Sequence, residues 1–100
     1  MAVRLISRGA EVTLELTGVV DVTEAAALRD AALGVVAVGP EACIVELQGV
    51  KGVDIAAVQV LLALQRALPG RVRFIGSPPA VTEIWRLAGL ERLLNLGGSP

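Results

Sequence analysis

The chain of 100 residues has no histidine and no tyrosine, and only one each of Cys, Met, Trp and Phe. Each shortage narrows what it can do. Without His, and with no carboxylate, Lys or Tyr in a recognisable spacing beside another reactive group, general acid or base catalysis has no obvious machinery. Two aromatic residues cannot build the stacking platforms that hold single-stranded nucleic acid. One Cys cannot close an internal disulfide. Cys43 lies inside an apolar run, where a buried inert thiol is expected in place of a nucleophile. No metal-ligand cluster, nucleophile–base pair or phosphate-binding loop is evident, so no cofactor and no metal are expected.

Charge of one sign is also lacking. Nine Lys and Arg face ten Asp and Glu, for a formal net charge of −1. That leaves no basic footprint for nucleic acid. Long apolar runs are missing too, although 54% of the residues are hydrophobic and the mean hydropathy is +0.69. The longest run, residues 31–38, ends at Gly39-Pro40, well short of the ~18 to 20 residues of a spanning helix. No charged leader followed by an apolar stretch and a cleavage site opens the chain. A cytoplasmic protein without membrane insertion is therefore the expectation. The apolar excess has two readings: a bias toward Ala, Val, Leu, Gly and Arg, or an apolar surface kept for a partner or a second subunit.

One domain with a modest core fits this length. Residues 11–17 alternate, with Val12, Leu14 and Leu16 on one face and Glu11, Thr13, Glu15 and Thr17 on the other, which predicts a half-covered strand. With the short apolar segment at residues 3–6 it should form a hairpin, the first segment being the edge. Gly18-Val-Val-Asp21 leaves the strand. Asp21 with Glu24 is a capping-box-like helix start, with Thr23 as a rival cap. Leu28, Ala32, Val35 and Val36 make the apolar stripe of that helix, and Gly39-Pro40 stops it.

Residues 42–47 are apolar apart from Glu46, a pattern that suits a strand covered on both faces. A Gly-flanked loop follows, then a helix from Asp54 to Pro69-Gly70. Residues 71–75 alternate again, with Val72 and Phe74 inward. Ser77 is the expected cap of a third helix with Pro78 at its first position. Trp85 is expected to be partly buried against the sheet. The order is β-β-α-β-α-β-α: a small α/β domain over residues 1–96, a mostly parallel sheet with helices mainly on one face, and a frayed tail at 97–100.

Three blocks of this chain resemble the STAS domain, the fold of anti-sigma factor antagonists and of the cytoplasmic tails of sulfate transporters. Leu16-Thr-Gly-Val-Val-Asp21 resembles the Gly-Glu-Leu-Asp turn before the first helix. Residues 44–57 resemble the central strand and the switch loop Asp-Ser-Ser-Gly. Residues 72–81 resemble the fourth strand and the next helix start. The resemblance places Ala56 where phospho-switched members carry the Ser that an anti-sigma factor kinase phosphorylates. Ile55 stands for the preceding Ser and Ala57 for the Gly. An alanine has no oxygen to phosphorylate, so a non-phosphorylatable variant is implied, similar to accessory STAS proteins that include chemotaxis-associated ones.

The implied role is a non-catalytic protein–protein interaction module of bacterial signalling. Its partner would be an anti-sigma factor kinase-like or chemotaxis protein. The alternative is the accessory subunit of a membrane lipid-transport ATPase, an ABC transporter component; a nucleotide-binding protein is a further alternative. The candidate partner surface is Asp21, Lys51, Asp54, Ile55, Ala56, Ala57 and Gln59. Asp54 also serves as N-cap of the second helix. Lys51 could pair with Asp21 or Asp54, for about 0 to 1 kcal/mol if exposed. Glu46 could face the helix ends or reach solvent. Ser77 in Gly76-Ser77-Pro78 could bind an anion at a helix start. The second helix is apolar nearly all round. Either its neighbours cover it, or Val60, Leu64 and the small Ala56, Ala63 and Ala67 meet a partner, a weak homodimer being one form of that contact.

Overall fold

A computed structural model of the chain describes residues 3–76 and 78–87. Its elements run β1 (Val3–Arg8), β2 (Glu11–Val20), α1 (Val22–Val38), β3 (Ala42–Val53), α2 (Ile55–Ala67), β4 (Val72–Ile75) and α3 (Pro79–Leu87). The four strands lie in the sheet in chain order. β1 pairs antiparallel with β2 through a two-residue loop, Gly9-Ala10. β2, β3 and β4 are parallel neighbours.

Strand order in space equal to strand order in the chain has a direct consequence. Both β-α-β crossovers step in the same direction, and the right-handed rule then puts α1 and α2 on the same face. The core lies between that face and the helices. It joins Val12, Leu14 and Leu16 of β2, Cys43, Val45 and Leu47 of β3, and Val72 and Phe74 of β4 to Leu28 and Val35 of α1, Val58, Leu61 and Leu64 of α2, and Val81 of α3. Burying each such Leu is worth about 1.5 to 3 kcal/mol relative to leaving it exposed.

Among the described residues no helix covers the other face of the sheet, which corrects the expectation that β3 is covered on both sides. Ile6, Thr13, Ile44 and Arg73 form a row across it in the strand register, and none of them is buried. Ile44 and Glu46 are half-buried there, so Glu46 points away from the helix face. Beside them, Arg4 and Glu15 approach to 3.7 Å as a surface ion pair.

β3 is also longer than its alternation suggests. Glu15 lies opposite Glu46 and Thr17 opposite Gly49; Gly18 lies opposite Val50 and Val19 opposite Gly52. At each step β3 carries one more residue than β2, the signature of a β-bulge. The core-facing positions therefore change spacing, from Cys43, Val45 and Leu47 to Val50 and then Val53, which line one cavity wall with Leu47. What reads as a Gly-flanked loop at residues 49–53 is bulged strand.

The helix boundaries follow local chemistry. Gly39 closes α1 in the left-handed conformation (φ 65°, ψ 53°), its N–H donating to the Val35 carbonyl. α3 starts one residue later than expected. Pro79 holds its first position, where a missing N–H costs nothing, and the Pro78 carbonyl accepts from the N–H groups of Val81 and Thr82. Ser77, the side chain of Trp85 and the tail at 97–100 lie outside the described residues.

Candidate docking site

Parallel strands end together, so β2 and β3 deliver the starts of α1 and α2 to one edge of the sheet. Val20 lies opposite Val53, and the Asp54 N–H donates to the Val20 carbonyl at 2.9 Å. The residues that follow these two strand ends are Asp21 and Asp54. Both have extended backbones, with φ −85° and ψ −170° for Asp21 and φ −88° and ψ 154° for Asp54, as an N-cap requires. Asp21 Oδ1 accepts from the N–H groups of Thr23 and Glu24, each at 3.0 Å. Asp54 Oδ1 accepts from the Ala56 N–H at 2.8 Å. Thr23 is thus inside the first turn and donates to the cap.

These carboxylates meet two positive helix ends with the chain's own negative charge. They occupy the N–H donors that a phosphate or carboxylate ligand would use. Three first-turn N–H groups at this edge, those of Thr23, Glu24 and Ala56, are thus already engaged by the caps.

Exposed apolar residues flank the caps in the chain. Val19 is 61% exposed, Val22 67% and Ile55 49%. Of the other expected residues, Gln59 and Lys51 are exposed and Ala56 is half-buried. Ala57 is fully buried, because it falls on the inward stripe of α2 with Val58, Leu61 and Leu64; it packs the core and does not reach the surface. Lys51 is the extra residue of the second bulge, and it forms no ion pair with Asp21 or Asp54, in contrast to the pairing weighed above; the ion pairs among the described residues are Arg4–Glu15 and Arg86–Glu83. Val19 and Val22 were not among the expected surface residues. The signal for Val19 was present: Leu14, Leu16 and Val20 point inward, so Val19 must point out.

An open groove of about 670 Å³ leads away from this edge between α1 and α2, floored by Ala25, Ala32 and Leu64. The remaining reactive group is elsewhere. Cys43 is fully buried in β3, and burial pushes its thiol up to about 11, so it stays protonated and unreactive at neutral pH. Among the described residues no group of three or more His, Cys, Asp or Glu could hold a metal ion. No helix among them is long and apolar enough to cross a membrane.

This small α/β domain with its four-stranded mixed sheet has the fold of anti-sigma factor antagonists. The structure is similar to an anti-sigma factor antagonist from Mycobacterium paratuberculosis, with a TM-score of 0.80 and 23% identity over 90% of this chain and 79% of that one. It is similar to SpoIIAA in its unphosphorylated form, with a TM-score of 0.72 and 18% identity over 86% of this chain and 83% of that one. The Bacillus cell fate determinant SpoIIAA in its phosphorylated form gives 0.74 and 18% over 92% and 87%. At these identities the likeness establishes the fold. Residues 3–95 match the family model described as Mlab, STAS domain, and the chain belongs to the STAS domain family. No curated protein matches it.

Proposed function

We propose that this STAS domain is a protein-docking module of bacterial signalling that works without catalysis and without phosphorylation of its α2 start. The observation that carries the reading is the edge where Asp21 and Asp54 cap neighbouring helices amid exposed Val19, Val22 and Ile55. Exposed apolar side chains around a rigid polar centre suit a protein contact. The position that takes phosphate in switched members corresponds, by resemblance, to Ala56, which has no hydroxyl. The absence of His from the chain and the buried, protonated Cys43 support a role other than chemistry. The partner belongs to the class of anti-sigma factor kinases or chemotaxis proteins, and the site of action is the cytoplasm.

Two measurements test this. Incubation with anti-sigma factor kinases and labelled ATP is expected to leave residues 52–57 unlabelled; label there overturns the non-phosphorylated reading. Calorimetry against the same kinases is expected to show a complex that Ile55→Arg or Val19→Arg abolishes. A complex indifferent to both substitutions overturns the docking edge.

A second reading, the accessory subunit of a membrane lipid-transport ATPase, is favoured by the outer side of α2. Ala63 and Ala67 remain exposed there and Val60 half-buried. Co-purification with an ATPase subunit supports it; recovery only with sigma-control or chemotaxis proteins counts against it.

A further inference from the structure

α1 and α2 each carry a second apolar stripe beside the one that enters the core. On α1 it runs Val22, Ala26, Arg29, Leu33 and Val36; on α2 it runs Ala56, Val60, Ala63 and Ala67. Both alternate steps of four and three residues, the spacing of the seam that packs helices side by side in bundles. The two stripes face one another across the open groove. The α2 wall is mostly alanine, so a third backbone can approach closely. The α1 wall supplies the projecting side chains, with Leu33 61% and Val22 67% exposed. From Val22 to Val36 the groove is roughly 21 Å long at about 1.5 Å of rise per residue, room for a helix of about four turns.

The electrostatics of the lining select the occupant. Among the described residues it contains one cation, Arg29, one amide, Gln59, and no carboxylate. Arg29 enters neither of the ion pairs among the described residues. An apolar helix laid over the groove would bury that guanidinium without a counter-charge. A second copy of this chain, docking the same patch on itself, would bring in a second guanidinium and no acid. A free fatty acid could match the charge, but a groove open along its length leaves an acyl chain wet, whereas small-molecule sites enclose about 70–90% of the ligand surface. We infer that the groove between α1 and α2 receives an amphipathic helix of a different protein, about four turns long, with an apolar stripe and one carboxylate placed to meet Arg29. This rests on the docking reading and specifies its partner: the helix lies in the groove in the i, i+3, i+4, i+7 manner, continuous with the Asp21–Asp54 edge.

The test is a display library of helix-forming peptides of about four turns, randomised at the seam positions and panned in parallel on the full chain and on Ala63→Arg, which fills the groove from an exposed position. Enriched peptides are expected to carry Asp or Glu at one central seam position and to be lost on Ala63→Arg. Their affinity should fall by about tenfold or more on Arg29→Glu, and Lys at the same peptide position should restore it. Circular dichroism melts establish that both variants fold. No enrichment on the unsubstituted chain relative to Ala63→Arg, no acid preference, or indifference to Arg29→Glu overturns the inference. So does a concentration-dependent dimer in sedimentation that Ala63→Arg abolishes, or dodecanoate shifting groove amide resonances where no peptide does. A kinase complex lost on Ile55→Arg but intact on Ala63→Arg upholds the docking edge and overturns the groove; insensitivity to Ile55→Arg with selected peptides retained does the reverse.

Discussion

The Asp54 N–H and the Val20 carbonyl are joined by a 2.9 Å hydrogen bond, which ties the start of α2 to the end of β2. Asp21 follows Val20 directly, so one backbone link fixes the relative placement of both caps. The surface between them is therefore held by the sheet, and its geometry does not depend on a loop closing over a partner.

Removing a cap leaves helix-end N–H groups without a protein acceptor. Asp21→Ala loses two bonds and Asp54→Ala loses one. Each is expected to cost about 1 kcal/mol, with Asp21→Ala toward the upper end of the roughly 0.5 to 2 kcal/mol range for caps. Asn at either position should retain most of the stability, because its carbonyl oxygen still accepts. Urea denaturation at constant m reads the difference; an Asn variant as unstable as the Ala variant would refute the capping account.

Leu28 and Leu33 stand five residues apart on α1 but in different surroundings. Leu28 is fully buried and Leu33 is 61% exposed on the groove wall. Leu28→Ala is expected to cost about 2 to 5 kcal/mol. Leu33→Ala should stay within about 0.5 kcal/mol, as exposed substitutions do. Equal costs, measured by the same denaturation, would mean that α1 is rotated about its axis from the orientation described.

Gly76 has φ +87°, and a Cβ there would stand 2.8 Å from the Gln48 backbone nitrogen. Gln48 lies in the bulged part of β3, so this contact is where the end of β4 meets the strand before the candidate docking edge. Gly76→Ala combines backbone strain with a clash against main chain and is expected to cost at least about 2 kcal/mol. Gly34, inside α1, has open space around the same construction. Gly34→Ala should instead stabilise by about 0.5 to 1 kcal/mol. Opposite signs in thermal denaturation are the expected outcome, and a shared sign would refute it.

The parts of the fold that were legible from sequence are those with local signals. Asp21, Asp54 and Gly39 announce helix ends by residue type alone, and the alternation of β2 and β4 survives because those strands are regular. The second half of β3 was not legible. Its bulges are a relationship between two strands: Val50 and Val53 keep facing the core only because β2 has one residue where β3 has two. In one dimension that looks like lost periodicity at Gly49 and Gly52. The apolar run at residues 42–47 likewise suggested cover on both faces, whereas successive crossovers in one direction leave Ile44 on the open side. At the site, Ala57 enters the candidate surface through its match to the switch-loop Gly, but its place on the inward stripe of α2 decides its burial. Val22 was missed because an apolar residue at the first turn of a helix reads as core, whereas the inward stripe of α1 is Ala25, Leu28, Ala32 and Val35.

Cys43 supplies a test of the core that needs no substitution. Its thiol is raised from 9.0 to about 11 by burial in β3. The folded chain therefore holds this proton above the pH at which the unfolded chain releases it. The unfolded state then binds fewer protons, so the linkage term makes stability fall as pH rises. The contribution is fully present below pH 9 and is lost progressively between about 9 and 11. Cys43→Ala removes that slope while leaving the titration of the other groups in place, so the difference between the two stability–pH curves isolates the thiol. Thiol-reactive reagents at pH 8 should label the native chain no faster than it unfolds, and the rate should rise with urea. Rapid labelling of the native protein, or identical curves for the two chains between pH 9 and 11, would show that β3 is not packed beneath the helices as described.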